Sequence, residues 1–461
     1  MPAAFLLVPL QSLDRRARRL LPRLRRWLRS DDLLVALLGV GVGALTGLAA
    51  IGFRMLIAAV QRLAWGSGED RFAAVVAAMP PWQVVLTPAL GGLLVALLVR
   101  FVIGGHRPPG VPQVLEATLY GGGRLRLLPG CATALAAALS LGAGASLGRE
   151  GPVVHLGATL SGWTARRLRL PPPMARMLLA CGVASAVAAS FNAPMAGTVF
   201  ALEVVVGSLR FSALAPVLMA ALTGTAVARL SFGGDPVFPV PVHAVGPMAE
   251  LPAFAALGVV AALVALAFMR GAFLCEDGFA AAARRWGWPQ WLNPVPGGLA
   301  IGALALAVPQ VLGVGYEATH DALLGATPAA VLLLLVAAKL AAVAVSFGAG
   351  FGGGVFSPSL VLGATAGGAF AAVAGPLVGP LASTAGIYAL VGMAAVAAPV
   401  LGAPISTILM AFELTGDGGM VPGVMTGVAV SAGVVRWLYG QSMFTAQMAR
   451  AAARAGSVNS V

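Results

Sequence analysis

Apolar residues run along this chain in long blocks, without the two-residue alternation of a half-buried strand. The blocks cover roughly 33–63, 81–103, 129–147, 174–190, 193–209, 213–231, 250–273, 293–312, 327–347, 355–375, 384–399, 400–415 and 420–438. A helix needs about 20 apolar residues to cross the hydrocarbon core of a bilayer, and several blocks are shorter than that. Glycine and proline interrupt them throughout, with 60 and 32 in the chain. Broken segments survive at membrane depth only when they are buried in protein or border an aqueous cavity. The pattern therefore predicts an all-α polytopic membrane protein containing re-entrant or half-spanning helices.

Composition sharpens this. Hydrophobic residues make up 59% of the chain and charged residues 10%, against about 45–50% and about 25% in soluble domains. The net charge of +13 does not read as a nucleic-acid surface, because much of it is gathered in Arg15, Arg16, Arg18, Arg19, Arg23, Arg25, Arg26 and Arg29. Under the positive-inside rule this cluster places the N-terminus in the cytoplasm. Leu13, Ala17, Leu20, Leu21, Leu24 and Leu28 recur at helical spacing among these arginines. Residues 1–30 are accordingly expected to form a basic amphipathic segment on the inner leaflet. A signal peptide is not expected, since the arginines follow the short Phe5–Leu10 apolar run and do not precede it. Cys131, Cys181 and Cys275 are isolated and the four histidines are scattered, so neither a disulfide framework, a metal site nor a cofactor is expected.

The chain also repeats itself. Pro152, Leu156-Gly157-Ala158-Thr159 and Gly162 recur as Pro358, Leu362-Gly363-Ala364-Thr365 and Gly368. Ala193-Pro194 precedes Glu203 by the interval that separates Ala403-Pro404 from Glu413. Residues 31–440 thus read as a duplicated transmembrane domain with halves at about 31–210 and 211–440, followed by a terminal helix and cytoplasmic tail over 441–461. Duplicated halves with interrupted helices at matching positions predict a binding site where the halves meet.

Three glycine- or proline-rich turns each open a helix. The first, Gly142 to Pro152, carries Glu150 between Arg149 and Gly151. Its glycines permit close backbone approach, and the helix that follows aims N–H groups at an anion. A carboxylate there competes with the anion for the same donors, and an acid at membrane depth is functional by default. The second turn, Gly348 to Pro358, presents Val355 and Phe356 with no acid, and Phe356 is expected to supply an apolar collar. The third, Pro108-Pro109-Gly110-Val111-Pro112, stiffens the chain before a helix beginning near Gln113. Dipole ends converging on one ion bind it without a full countercharge, so the ion can leave again. Paired acids, a His/Asp cluster and a nucleophile beside a base are all lacking, so an enzyme is not expected.

Gly148-Arg-Glu-Gly-Pro152, Gly354-Val-Phe-Ser-Pro358, Gly110-Val-Pro112 and Phe191-Asn-Ala-Pro-Met-Ala-Gly197 resemble, in order and spacing, the signature elements of the CLC family. The resemblance covers about residues 33–450. It implies two inverted repeats of tilted helices, homodimers, and one anion pathway per subunit gated by Glu150. It also implies anion contacts at Pro109, Gly110, Val111, Gly148, Arg149, Gly151, Val355, Phe356 and Phe444. Chloride is the expected anion.

Three departures from the family pattern bear on mode. Pro109 stands where the family has its central serine and Phe444 where it has its central tyrosine, so two hydroxyl donors are missing. A proline at the serine position resembles nitrate-preferring members, which keeps nitrate in view; Pro152 in place of threonine argues against fluoride export. Proton-coupled members carry a second acid after the one matching Glu203, and here that place holds Val204. The expectation is a passive anion channel, with chloride/proton antiport as the alternative. Glu203 and its repeat partner Glu413 are expected to bind backbone groups. Lys339, the sole lysine, is expected either to enrich anions at a pore mouth or to snorkel.

Overall fold

The computed structural model describes residues 31–66, 72–105, 107–238, 248–379, 382–416 and 420–458. The expected basic segment 1–30 lies outside these residues, as do His106 and His243. The described chain is helical: α1 (Asp31–Trp65), α2 (Phe72–Ala77), α3 (Pro81–Leu98), α4 (Val111–Leu119), α5 (Leu127–Gly142), α6 (Glu150–Arg167), α7 (Pro172–Phe191), α8 (Pro194–Phe200) and α9 (Phe211–Phe232). There follow α10 (Leu251–Trp286), α11 (Pro294–Ala307), α12 (Tyr316–Leu323), α13 (Ala329–Ala349), α14 (Phe356–Val378), α15 (Ala385–Leu401), α16 (Pro404–Thr415), α17 (Val421–Leu438) and α18 (Met443–Val458). Eight helical stretches are long and apolar enough to cross a membrane, and four shorter apolar ones accompany them. The chain is therefore an integral, multi-pass membrane protein, with short helices packed between long ones.

The predicted blocks and the observed helices differ where polarity and helicity part company. The 250–273 block continues as helix to Trp286, through Glu276, Arg284 and Arg285, because straight-chain charged residues sustain a helix after the apolar run ends. The 193–209 block is only half α-helix; from Ala201 to Val206 it widens to i→i+5 bonding. Helix α12 lies between blocks and has no apolar run of its own.

Internal symmetry shows in the contacts. Gly157 and Gly182 bring α6 against α7 so closely that a Cβ on either would lie 2.5–2.6 Å from the other's carbonyl oxygen. Their repeat equivalents Gly363 and Gly392 do the same for α14 and α15, at 2.3–2.4 Å. Glycine at these crossings lets backbones touch where lipid offers no competing hydrophobic drive. Helices α7 and α15 both end on a left-handed residue, Asn192 (φ 55°) and Gly402 (φ 68°), before an Ala-Pro that opens the next helix. Glu203 accepts from the N–H groups of Ile405 (3.2 Å) and Ser406 (3.0 Å) at the start of α16. Reciprocally, Glu413 accepts from Met195 (2.9 Å) and Ala196 (2.7 Å) at the start of α8. Each half caps the other.

A buried candidate gate between two cavities

The two glycine-rich turns meet on the same symmetry. Gly148 and Gly354, equivalent in the repeat, exchange both backbone bonds: the Gly148 N–H donates to Gly354 O at 2.8 Å and the Gly354 N–H to Gly148 O at 2.7 Å. A Cβ on Gly148 would lie 2.8 Å from Glu150 Oε2, and one on Gly151 would lie 2.8 Å from Gly354 Cα. Only glycine fits at either place. This bridge sets α6 and α14 start to start, with Glu150 and Phe356 as their first residues.

Glu150 is fully buried (0% exposed). The Ser357 hydroxyl donates to its Oε2 at 2.6 Å and the Tyr316 hydroxyl to its Oε1 at 2.9 Å. Arg149 Nε lies 3.7 Å from Oε1, and its guanidinium sits over the Tyr316 ring, 4.8 Å from the centroid. Tyr316 is placed by its loop. It opens α12 directly after Gly315 (φ 88°), and the Lys339 ammonium donates to Val311 O at 3.1 Å and Gly313 O at 2.9 Å in that loop. Lys339 is 2% exposed. It therefore neither snorkels nor faces a pore mouth; it ties α13 to the loop that delivers Tyr316.

Cavities lie on either side of Glu150, and they share no lining residue. A cavity of about 110 Å³ is bordered by Pro109, Gly110, Val111, Gly151, Val355 and Phe444, with Arg107, Arg450 and Arg454 at its basic end. Glu276 receives Arg107 at 3.4 Å and Arg454 at 3.1 Å there. On the other side, pockets of about 650 Å³ and about 190 Å³ are both bordered by Arg54, Arg149, Tyr316 and Glu317. The step from Arg149 to Gly151 thus crosses from one cavity system to the other, and Glu150 fills the gap.

Six of the nine expected anion contacts gather at the smaller cavity, and three do not. Arg149 faces the opposite side. Gly148 is committed to the bridge, its N–H already donated. Phe356 is buried against Phe200 (4.9 Å between ring centroids), Phe191 (6.0 Å) and Phe444 (6.5 Å), an aromatic plug behind the helix start. Within the cavity, the Gly110 N–H is also engaged, by Gln113 Oε1 at 2.7 Å. The side chain of the helix's own third residue reaches back to cap that N–H, the one half of a capping box a glycine permits, so Gly110 contributes shape and no donor. Val204 is partly buried against the apolar core. Sequence reasoning did not single out Tyr316 or Ser357. Ser357 lies inside the quoted Gly354–Pro358 motif, and Tyr316 follows a Gly313-Val-Gly315 turn that was itself a legible signal.

Comparison with known proteins places these features. A family model described as voltage gated chloride channel matches residues 91–436. A putative chloride channel protein ClcB-like from Ralstonia nicotianae is 33% identical over 389 residues, covering 83% of this chain and 89% of its own. The voltage-gated ClC-type chloride channel ClcB of Escherichia coli O81 is 30% identical, over 89% of this chain and 97% of its own. The crystal structure of a slow cyanobacterial Cl⁻/H⁺ antiporter superposes with a TM-score of 0.80 at 23% identity, covering 91% of this chain and 98% of that one, and shares the fold. The match over most of the chain shows that it belongs to the CLC family of anion channels and transporters.

Proposed function

We propose that this CLC protein exchanges chloride for protons across a bacterial inner membrane, its N-terminus cytoplasmic, with Glu150 as the shared gate. The observation that carries the reading is the complete burial of the Glu150 carboxylate between two cavity systems. An anion passes only when that carboxylate vacates its place, and it is released most readily when protonated, because a carboxylic acid accepts hydrogen bonds less strongly than a carboxylate. Opening the pathway then entails taking up a proton, and proton uptake from one side with release to the other couples the two flows. This reverses the preference for a passive channel drawn from Val204. The fold likeness to a Cl⁻/H⁺ antiporter supports exchange, and the smaller cavity, which reaches Gly151 next to Glu150, offers water a route for the proton that needs no acid at Val204.

Passive conduction is the second reading, favoured by Val204 itself and by the channel names of the curated relatives. Purified protein in chloride-loaded vesicles, followed with chloride and pH electrodes together, separates the two. Outward chloride flow is expected to drive protons inward against their gradient. Chloride efflux with no proton movement would establish a channel. Glu150→Gln is expected to abolish proton movement and pH dependence while chloride still flows; an unchanged pH profile would remove Glu150 from the gate.

A further inference from the structure

Away from the gate, at the far end of α6, a cavity of about 300 Å³ is bordered by Arg124, Ala165, Arg166, Arg169, Leu170 and Ala175, with no acid among them. It shares no lining residue with either cavity system around Glu150. Three segments wall it: the loop between α4 and α5, the end of α6 and the start of α7. Glycines clamp them together. A Cβ on Gly162 would lie 2.9 Å from Leu125 N and 3.0 Å from Gly123 O, and one on Gly123 would lie 2.8 Å from Ala175 C. Gly123 is itself left-handed (φ 78°), so the loop that carries Arg124 has a fixed path against both helices. Ala165 and Ala175 are buried and the three arginines exposed, which gives the cavity an apolar floor and a basic rim.

Topology asks for arginine in cytoplasmic loops, but it asks for charge and not for a cavity. The carbonyls at the end of α6 do not need the arginines either. The Leu170 N–H donates to Ala165 O at 2.9 Å and the Arg169 N–H to Arg166 O at 3.1 Å. These are the paired bonds of a Schellman turn, whose left-handed position normally takes glycine. Here Arg169 holds it, at φ 54°; among the described non-glycine residues only Asn192 shares a positive φ. An L side chain is strained there, so a guanidinium is kept beside Arg166 at a conformational cost. Among the described residues the side chains of Arg124, Arg166 and Arg169 have no carboxylate, hydrogen-bond acceptor or ring as partner. Like charges gathered without a counterion repel one another, and a bound anion relieves that.

We propose that this cavity binds a phosphate group, that of an anionic phospholipid in the cytoplasmic leaflet. Guanidinium groups pair with phosphate oxygens through two parallel hydrogen bonds, and a basic pocket between membrane helices on the cytoplasmic side suits a lipid headgroup. A lipid is favoured over a soluble phosphate because Trp163 and Leu168, on either side of Arg166 in sequence, are both exposed. They give an acyl chain apolar surface to follow beside the cavity, and tryptophan settles at headgroup level.

Purified protein in dodecylmaltoside, titrated with dioleoyl phosphatidylglycerol and read by native mass spectrometry, measures the filling. The native chain is expected to retain one phosphatidylglycerol at lipid levels where dioleoyl phosphatidylcholine is lost. Arg124→Gln and Arg166→Gln are each expected to weaken retention about fivefold, the effect of one basic residue at an anionic lipid surface. Arg169→Gly separates binding from folding. Glycine accepts the left-handed conformation freely, so the lipid-free melting temperature holds or rises while retention of phosphatidylglycerol falls. Arg284→Gln with Arg285→Gln removes a basic pair at the end of α10, outside the cavity, and is expected to leave retention unchanged. Sodium phosphate in place of lipid distinguishes the sources. Protection from melting by phosphate that is lost in Arg124→Gln with Arg166→Gln, without selective retention of phosphatidylglycerol, would assign the same site to a soluble phosphate. The proposal is overturned if that double variant, with a native melting temperature, retains phosphatidylglycerol as the native protein does. It is overturned equally if both lipids are retained alike and phosphate protects neither protein.

Discussion

Phe444 shows how much one missing atom changes at this site. Its ring is 3% exposed and borders the smaller cavity alongside Pro109 and Val355, so nothing there donates a side-chain hydroxyl. Phe444→Tyr is expected to tighten chloride binding by roughly 0.5–1.5 kcal/mol, the net worth of one hydrogen bond, read by calorimetry on the purified protein; no gain would mean the ring edge does not meet the anion. Lys339 answers to a different balance. Lys339→Met keeps the stem but leaves the Val311 and Gly313 carbonyls without their donor. The expected cost is about 1–3 kcal/mol, seen as a lower melting temperature in detergent, together with faster turnover at neutral pH as Tyr316 loosens. A drop in stability with unchanged turnover would show that Lys339 holds the loop without positioning Tyr316. Glu150 was legible in the sequence because glycines flank it at membrane depth. Its partners were not: the bonds to Tyr316 and Ser357 span 166 and 207 residues, and no local pattern encodes a contact that only the meeting of two halves creates.

Among elements, the short helices carry most of the information. Helix α8 has seven residues and α16 twelve, so neither is stable alone; each begins at Ala-Pro with its first N–H groups capped by a carboxylate from the opposite half. A carboxylate satisfies those donors and complements the positive end of the helix. Glu413→Ala is expected to destabilise the protein by about 1–2 kcal/mol, measured as a loss in thermal melting, with proton coupling intact because Glu413 binds backbone. Loss of proton movement at unchanged stability would make it a relay instead. The matched Ala-Pro and Glu spacing was readable as repetition, and its physical content, reciprocal capping, needed coordinates. Long apolar helices were read to within about five residues, except α10, whose charged last turns carry it on to Trp286. Helix α12 escaped, because Tyr-Glu-Ala-Thr-His-Asp has neither an apolar run nor a strong period, and its helicity comes from a glycine turn tied down by a lysine on another helix.

At the scale of the molecule, the two halves together frame the proposed pathway and present matched apolar side chains outward. Met195 and Ile405, equivalent in the repeat, are 43% and 45% exposed on α8 and α16, and Met219, Leu222 and Met425 extend the same apolar character along α9 and α17. Helix α8 packs against both α9 and α16, and α16 against α17, so these side chains belong to neighbouring elements. A lipid tail can cover them, but so can a second copy of the same surface, and a self-complementary patch closes into a dimer under two-fold symmetry. A homodimer joined through this face is the expected assembly. Leu222→Trp with Met425→Trp is expected to shift the detergent-solubilised protein from dimer to monomer in size exclusion with light scattering. Glu150 is already fully buried, and bonded by Tyr316, Ser357 and Arg149 of its own chain. The monomer should therefore keep chloride flux and proton coupling close to the dimer's. A folded monomer that no longer transports would mean that the second subunit shapes the pathway, and a variant that stays dimeric would place the interface on another face.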